Sequence, residues 1–235
     1  MRVLALDTTR AAGSVALVED RRIVAERLSD PIRSHAERLP GELLSLLREV
    51  DVRLSDVDVF AVGTGPGSLT GLRIGVATMQ GLALVGRKRI VPVSALEALA
   101  QKASAAFAPG DLVAAWIDAH RREVFSVLYR VADAPLFARR RLDEIDPPAV
   151  GDPAAVLARW INRYGVPAVF AGDGASAYAD RIGDTAPIVD QPLLAGAIGL
   201  VAVDRALAGE TVAPAGVEPT YVRRPDAEIA RDKVS

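Results

Sequence analysis

Histidine and cysteine supply many of the metal ligands and nucleophiles that proteins use, and this sequence has few of either. It contains two histidines, His35 and His120, and no cysteine. A metal site built on one helix needs two imidazoles four residues apart, so that both reach one ion, and Leu39 stands where the second would be. A site assembled in space from Asp7, His35 and Asp118 is the alternative. The residue types therefore predict no metal site and no catalytic nucleophile–base pair.

Two aspartates, Asp7 and Asp118, each follow an apolar run and begin a turn. A phosphate-binding hairpin needs glycine soon after such an aspartate, so that backbone amides can approach the phosphates. Here Thr8-Thr9-Arg10 follows the first aspartate, and Ala119-His120-Arg121-Arg122 follows the second. We therefore expect both carboxylates to accept hydrogen bonds from turn amides. A relic nucleotide or metal contact in a cleft is the alternative.

The most distinctive segment is rich in glycine and reads FAVGTGPGSLTGLRIGVA from Phe60 to Ala77. It predicts a strand, a tight turn at Gly65 and Gly67, and a helix capped by Ser68. The turn is not a Walker loop, because no Lys-Ser/Thr pair closes it and its proline removes an amide donor. We expect the two turn glycines to be relic cleft contacts rather than a working phosphate cradle.

The elements that must position these residues occur twice along the chain. The first half predicts strands at 2–7, 14–18, 23–28, 57–62 and 90–93, and helices at 39–50, 69–86 and 95–107. The second half predicts strands at 112–118, 123–131, 136–142 and 168–171, a turn at 172–174, and helices at 153–164 and 193–207.

A strand meander followed by alternating helices and strands, repeated, is typical of an α/β architecture with two facing halves and mixed sheets. It is the order of the actin, sugar-kinase and Hsp70 (ASKHA, ribonuclease H-like) superfamily. We expect subdomains at 1–108 and 109–224, and a flexible tail at 225–235 because that segment is charged and has few large apolar residues.

Four segments together resemble the bacterial TsaB (YeaZ) family, and the resemblance runs from Arg2 to about Arg223. They are Leu4–Thr9, Ser34–Pro40, the specific stretch GTGPGSLTGLRIG at Gly63–Gly75, and Pro219–Arg223. The resemblance implies a cytoplasmic subunit that pairs with a catalytic paralogue, TsaD, through its first-half helices. It also implies a TsaE-like ATPase partner and a role in attaching threonylcarbamoyl to the adenosine next to the anticodon of tRNAs that read codons beginning with A.

The helix after Ser68 is apolar almost all round, so it must be covered on more than one side. Its own sheet covers one side, and the rest of the chain or another subunit covers the other. With the family resemblance, we expect a TsaD-like partner on the two first-half helices, and a homodimer in its absence. The expected contact residues are Leu39, Leu43, Leu46, Leu47, Leu69, Gly71, Leu72, Gly75, Val76 and Met79.

Composition sets the remaining expectations. The net charge of −2 indicates that tRNA is met indirectly, through a partner, and that Arg121-Arg122 and Arg139-Arg140-Arg141 are solvated. The N-terminus does not read as a secretory signal and no segment reads as a membrane span, so we expect a cytoplasmic protein. Because the residue types predict neither a metal site nor a phosphate cradle, we also expect a non-catalytic protein without a tightly bound cofactor. A nucleotide at the complex interface stays open. The alternatives are an ATP-dependent transferase of the same fold and a peptidase M22-type protease.

Overall fold

The first half of the chain forms one mixed, five-stranded sheet. The computed structural model describes residues 1–10, 13–29 and 35–222, without the side chains of residues 35 and 36. The strands of this sheet are β1 (Arg2–Asp7), β2 (Ser14–Glu19), β3 (Arg22–Leu28), β4 (Val59–Gly65) and β5 (Arg89–Ser94). Their order is β3-β2-β1-β4-β5, and β1 is antiparallel to β2 but parallel to β4.

The second half repeats this arrangement. Its strands are β6 (Leu112–Asp118), β7 (Val124–Val131), β8 (Leu142–Gly151), β9 (Val169–Ala171) and β10 (Ile188–Val189). Their order is β10-β9-β6-β7-β8, with β6 antiparallel to β7 and parallel to β9. The predicted class of two tandem α/β halves with mixed sheets is therefore confirmed.

Helices cover both faces of each sheet. They are α1 (His35–Glu49), α2 (Leu69–Gly86), α3 (Ala95–Ala103), α4 (Pro153–Arg163), α5 (Asp173–Ala177), α6 (Ala179–Ile182) and α7 (Ala195–Leu207). The outer face of the first sheet packs on α1 and α2, and that of the second sheet packs on α4 to α6. The central core between the sheets contains α3 and α7. Because every strand near the middle is covered twice, the strands read as continuous apolar runs.

The alternation along β1 shows how the sequence separates the two cores of the first half. Val3 and Ala5 belong to the central core, while Leu4 and Leu6 belong to the outer core under α1 and α2. Successive strand residues point to opposite faces, so the small side chains face the crowded centre. The longer leucines face the outer helices.

Each half contributes a helix to the central core that packs on the sheet of the other half. Helix α7 of the second half packs on β1 and β2, and α3 of the first half packs on β6. The Ser14 hydroxyl oxygen accepts the backbone N–H groups of Leu194 and Ala195 at 3.1 and 2.9 Å, and Glu26 accepts that of Gly196 at 2.7 Å. The strands divide at the predicted position, between β5 and β6. Independent subdomains at 1–108 and 109–224 stay a prediction, and the tail at 225–235 lies outside the described residues.

Most predicted elements are present, with one clear error. The strand expected at 136–142 is wrong, because residues 136–141 form turns and bends and β8 begins only at Leu142. Strand β8 contains Pro147 and Pro148, which in the sequence disfavour a strand at that position. The strand forms because β8 lies at the edge of its sheet, where missing N–H donors are tolerated. The helix expected at 95–107 ends at Ala103 and continues as a one-turn 3-10 helix, and the turn at 172–174 opens α5.

The predicted solvated run Arg139-Arg140-Arg141 is only partly so. Arg141 donates to the carbonyl oxygens of Ser104, Phe107, Ala132 and Ala134, so it ties the turn after β7 to the end of α3. Arg139 forms ion pairs with Asp204 and Glu210. Arg140 is exposed, as expected.

A buried carboxylate fixes α4 to β8 and makes the fold sensitive to acid. Asp146 accepts hydrogen bonds from Trp160 Nε1 at 2.7 Å and Arg159 Nη2 at 2.5 Å. Burial alone raises the pKa of Asp146, but these hydrogen bonds outweigh burial and hold that pKa below its usual value. A lowered pKa contributes stability above the pKa of the unfolded chain, and this stability is lost as pH falls through the folded-state pKa.

We therefore expect Asp146→Ala to lower the free energy of unfolding by about 2 kcal/mol at pH 7, since the indole N–H loses its buried acceptor. Urea unfolding from pH 7 to pH 3 checks this, with Asp146→Asn as the control that keeps an acceptor without the charge. The difference between wild type and Asp146→Asn should shrink on acidification. An unchanged difference would contradict the assignment.

Candidate functional site

A cleft with a volume of about 450 Å³ lies between the carboxyl ends of the two central strands. One wall is the N-terminal turn of α2, and the opposite wall is the turn between β6 and β7. The segment around Tyr221 closes one end. The lining residues are Thr9, Arg10, Pro66, Gly67, Ser68, Leu69, Thr70, Leu72, Ile117, Asp118, Ala119, His120, Arg121, Phe125, Asp173, Thr220, Tyr221 and Val222.

The turn after β1 is occupied by the chain's own backbone. Asp7 Oδ1 accepts the backbone N–H and the hydroxyl of Thr9 at 2.9 and 2.6 Å, which confirms its predicted turn role. The Thr9 carbonyl oxygen in turn accepts the Ser68 N–H at 2.7 Å. Gly67 passes so close that a Cβ there would overlap the Thr9 carbonyl oxygen. In the described part of this turn, residues 8–10, the Thr9 N–H is therefore not open to a phosphate group.

The turn after β6 is built on the equivalent aspartate. Asp118 Oδ1 accepts the His120 N–H at 2.9 Å, and the Asp118 N–H donates to Asp173 Oδ1 at 3.2 Å. Burial raises the pKa of Asp173, and the positive charge of Arg10 opposes this rise. Gly172 and Gly174 run against the end of β6, where a Cβ at Gly172 would overlap the Trp116 carbonyl oxygen. Glycine again serves close backbone packing.

The four predicted cleft contacts separate into two layers. Gly67 and Asp118 line the cleft, whereas Asp7 is fully buried beneath it and is not among the lining residues. Gly65 is also buried, and a Cβ there would lie 2.9 Å from the Thr220 carbonyl oxygen. Among the described side chains, which exclude that of His35, no three metal-ligating groups converge.

Helix α2 has two distinct faces. Ser68 Oγ caps its first turn by accepting the Gly71 N–H at 3.2 Å, and one face packs on β4. By length and composition alone this helix could cross a membrane, but 33% of it is buried inside the protein. Gln80 Nε2 donates to the carbonyl oxygens of Pro214 and Val217, so residues 214–217 border one edge. Helix α1 borders the other part of the buried side.

The structure places most of the expected contact residues on the inner side of the two helices. Nine of the ten expected contact residues lie in the chain's own cores and are buried: Leu39, Leu43, Leu46, Leu47, Gly71, Leu72, Gly75, Val76 and Met79. Leu69 is the exception, with 40% of its surface exposed. Because buried side chains cannot reach another subunit while the fold is intact, these nine shape the helix pair from inside.

The outward face of α2 contains a single charged residue, Arg73. At angular steps of 100° per residue, the exposed and half-exposed positions form one continuous arc. Leu84 and Val85 are 70% and 84% exposed, and on the neighbouring α1 Leu44 is 43% exposed. We call the following set the outward face: Leu69, Thr70, Arg73, Ile74, Ala77, Thr78, Gly81, Leu84 and Val85. Ala77, Gly81, Leu84 and Val85 were not selected from the sequence, because an all-apolar helix does not reveal which side meets its sheet.

Small residues on this helix serve two purposes. A Cβ at Gly75 would overlap the Thr8 hydroxyl oxygen, so this glycine is required by packing within the chain. A Cβ at Gly81 would meet nothing within 4 Å, and the same holds for Gly41 on α1. The glycines that could let another helix approach closely are therefore on the outer side.

Two facing halves of this topology, each with a strand meander and a central parallel pair beside a shared cleft, define a protein of the ASKHA fold. The activator of the 2-hydroxyisocaproyl-CoA dehydratase from Clostridium difficile, solved with bound ADPNP, shares this fold. The TM-score is 0.53 at 12% identity, over 89% of this chain and 97% of that chain.

More specific similarity places the chain within this class. The family model described as TsaD, tRNA N6-adenosine threonylcarbamoyltransferase, matches residues 23–231. The tRNA threonylcarbamoyladenosine biosynthesis protein TsaB of Escherichia coli (strain K12) is 33% identical over 228 residues, 95% of each chain. The structure of YeaZ from Pseudomonas aeruginosa has a TM-score of 0.74 at 32% identity, covering 94% of this chain and 100% of that one. The chain belongs to the TsaB (YeaZ) family.

Proposed function

We propose that this protein is a non-catalytic subunit that pairs with a TsaD-type catalytic subunit in the biosynthesis of threonylcarbamoyladenosine in tRNA. Two similarities support this proposal. The Escherichia coli relative is named as a tRNA threonylcarbamoyladenosine biosynthesis protein, and the family model that matches this chain is that of TsaD. The finer role is to activate threonylcarbamoyl transfer to the adenosine next to the anticodon of tRNAs that read codons beginning with A.

The outward face of α2 is the observation that carries the pairing proposal. A long helix with one charge on its solvent side leaves Leu84 and Val85 largely exposed, and contiguous apolar surface of this kind marks interaction sites in soluble proteins. Gly81 and Ala77 leave the helix backbone accessible, which allows a partner helix to pack closely. With Leu44 of α1 added, the face can contribute to an interface of roughly 1,600 Å² in total.

The filled turn after β1 supports a non-catalytic role. An enzyme of this fold that uses ATP needs backbone amides open to phosphate, and here the Thr9 N–H donates to Asp7 and the Ser68 N–H to the Thr9 carbonyl oxygen. A TsaE-like ATPase and tRNA would then act with the partner, and a nucleotide would bind at the shared interface if at all. We place the complex in the cytoplasm.

Exposed apolar surface also favours self-association when the partner is absent. A two-fold dimer uses the same patch on both subunits. The largely apolar outward face can therefore pack against the outward face of a second copy. We propose that this homodimer and the pair with the TsaD-type subunit compete for one surface. Mixing the two proteins should therefore convert the homodimer into the heterodimer.

Reconstitution tests the proposed function. Threonylcarbamoyladenosine formation on a tRNA transcript is measured with the TsaD-type subunit, the TsaE-type ATPase and a threonylcarbamoyl-adenylate donor, with and without this protein. We expect modification to fall at least tenfold when this chain is omitted. Equal modification without it, or Mg-dependent ATP turnover by this chain alone, would favour the ATP-dependent transferase and contradict our proposal.

A further inference from the structure

The turn between β6 and β7 has an unusual backbone for its residue types. His120, Arg121 and Arg122 have φ angles of 56°, 56° and 65°, so three successive residues with side chains lie in the left-handed region. Non-glycine residues in this region are disfavoured by steric contact with the following carbonyl. Positive φ at both central residues is the ordinary geometry of a tight β-hairpin turn, and Asp20 and Arg21 adopt it in the hairpin between β2 and β3. We call these three residues the basic turn.

Neighbouring groups hold the basic turn in place. Asp118 Oδ1 accepts the His120 N–H at 2.9 Å, and the His120 carbonyl oxygen accepts the Glu123 N–H at 3.0 Å. The Ala119 N–H donates to the Glu123 carbonyl oxygen at 3.0 Å, which closes the hairpin. The result is a fixed platform from which exposed basic side chains project beside the cleft; 84% of the His120 side chain is exposed.

Aromatic side chains lie in the cleft next to the basic turn. Phe125 lines the cleft but is only 8% exposed, whereas Tyr221 lines it with 44% of its surface exposed, so Tyr221 is the ring that a base can reach. Arg73 Nε lies 3.4 Å from the Tyr221 hydroxyl, which brings another cation beside this ring. A basic border beside aromatic rings is the combination that binds single-stranded nucleic acid, because phosphates meet the cations and bases stack on the rings.

The carboxylates near this border are engaged within the protein. Asp118 accepts hydrogen bonds from the turn and its Oδ2 lies 3.3 Å from His120 Nδ1. Asp173 is largely buried and accepts the Asp118 N–H. Glu123 has contacts of its own, as does Arg121, although Arg121 stays exposed. Asp7 is fully buried with Arg10 3.8 Å away. The exposed groups of the border are therefore mainly cationic, although the whole chain has a net charge of −2.

We infer that the basic turn and the cleft beside it bind the phosphate backbone of a single-stranded stretch of RNA, with one base over Tyr221. The choice of RNA rests on the proposed function, whereas the phosphate and stacking chemistry rests on this site alone. Direct contact replaces the indirect role expected from net charge, because charge that is concentrated on one edge can act locally.

Binding by the isolated full-length protein tests the inference. Fluorescence anisotropy with a labelled single-stranded RNA 12-mer is measured for wild type and for Arg121→Glu/Arg122→Glu over a salt series. We expect the variant to bind at least tenfold more weakly, with a salt slope reduced by about 2 because two phosphate contacts are lost. Tyr221→Ala should weaken binding about tenfold through lost stacking.

The control carries the same change of charge elsewhere. Arg140→Glu/Arg163→Glu alters two exposed arginines remote from the cleft and should bind RNA like wild type. Equal loss in both double variants would overturn the site, as would ATP that binds as tightly as RNA and displaces it. Pairing of the same variants with the TsaD-type subunit is measured separately by size-exclusion chromatography. Wild-type protein that pairs normally but binds no RNA defeats this inference alone, and failed pairing of wild type defeats the proposed function.

Discussion

Replacing Ala77 with glutamate should weaken pairing with the TsaD-type subunit at least 100-fold while leaving the isolated protein folded. Ala77 lies near the middle of the outward face and is exposed, so the new carboxylate stays in water in the monomer. In the complex it would be buried without a partner, and leaving a buried charge unpaired costs several kcal/mol. A loss of about 2.8 kcal/mol already corresponds to 100-fold in the dissociation constant.

Leu207→Glu is the matched control for this variant. Leu207 ends α7 and is 66% exposed. This variant therefore also places a carboxylate at an exposed apolar position, but on another helix. Dissociation constants of both variants are measured by isothermal titration calorimetry, with urea unfolding as the check on folding. Wild-type affinity in Ala77→Glu, or equal loss in Leu207→Glu, would show that the outward face is misplaced.

Periodicity was sufficient to predict most of the first half of the fold. Leu39, Leu43, Leu46 and Leu47 repeat as a helix stripe, and all four are buried under α1 as that pattern requires. The sequences around Asp7 and Asp118 also indicated the internal repeat. The two sheets confirm this repeat, because their first three strands pair in the same way. Both patterns can be recognised in the sequence without knowledge of tertiary contacts.

The orientation of α2 could not be read in the same way. Its apolar residues occur on every side, and its hydrophobic pattern is therefore nearly uniform around the helix axis. Only the position of β1 and β4 decides that Val76 and Met79 face inward while Ala77 and Leu84 face out. The left-handed basic turn was equally hidden, because Arg121 and Arg122 are not residues that favour such backbone angles.

Two glycines on the same helix should respond in opposite directions to alanine. A Cβ at Gly75 would overlap Thr8 Oγ1 and lie 3.0 Å from Thr8 Cγ2. Thr8 is fully buried in the turn that holds Asp7, so it cannot move aside cheaply, and overpacking of this type costs about 1–3 kcal/mol. Gly81 faces open space, so alanine there should raise the free energy of unfolding by about 0.5–1 kcal/mol through helix propensity.

Urea unfolding of Gly75→Ala, Gly81→Ala and Gly75→Ala/Thr8→Ala measures these effects. Within residues 1–10, 13–29 and 35–222 the Thr8 hydroxyl has no hydrogen-bond partner, so Thr8→Ala should remove the overlapping oxygen without breaking a bond to any of them. The double variant should therefore recover most of the stability that Gly75→Ala loses, which is a positive coupling between neighbouring sites. A Gly75→Ala protein as stable as wild type would show that α2 does not approach the turn after β1 as closely as this structure has it. A double variant no more stable than Gly75→Ala would show that the strain arises elsewhere than at Thr8.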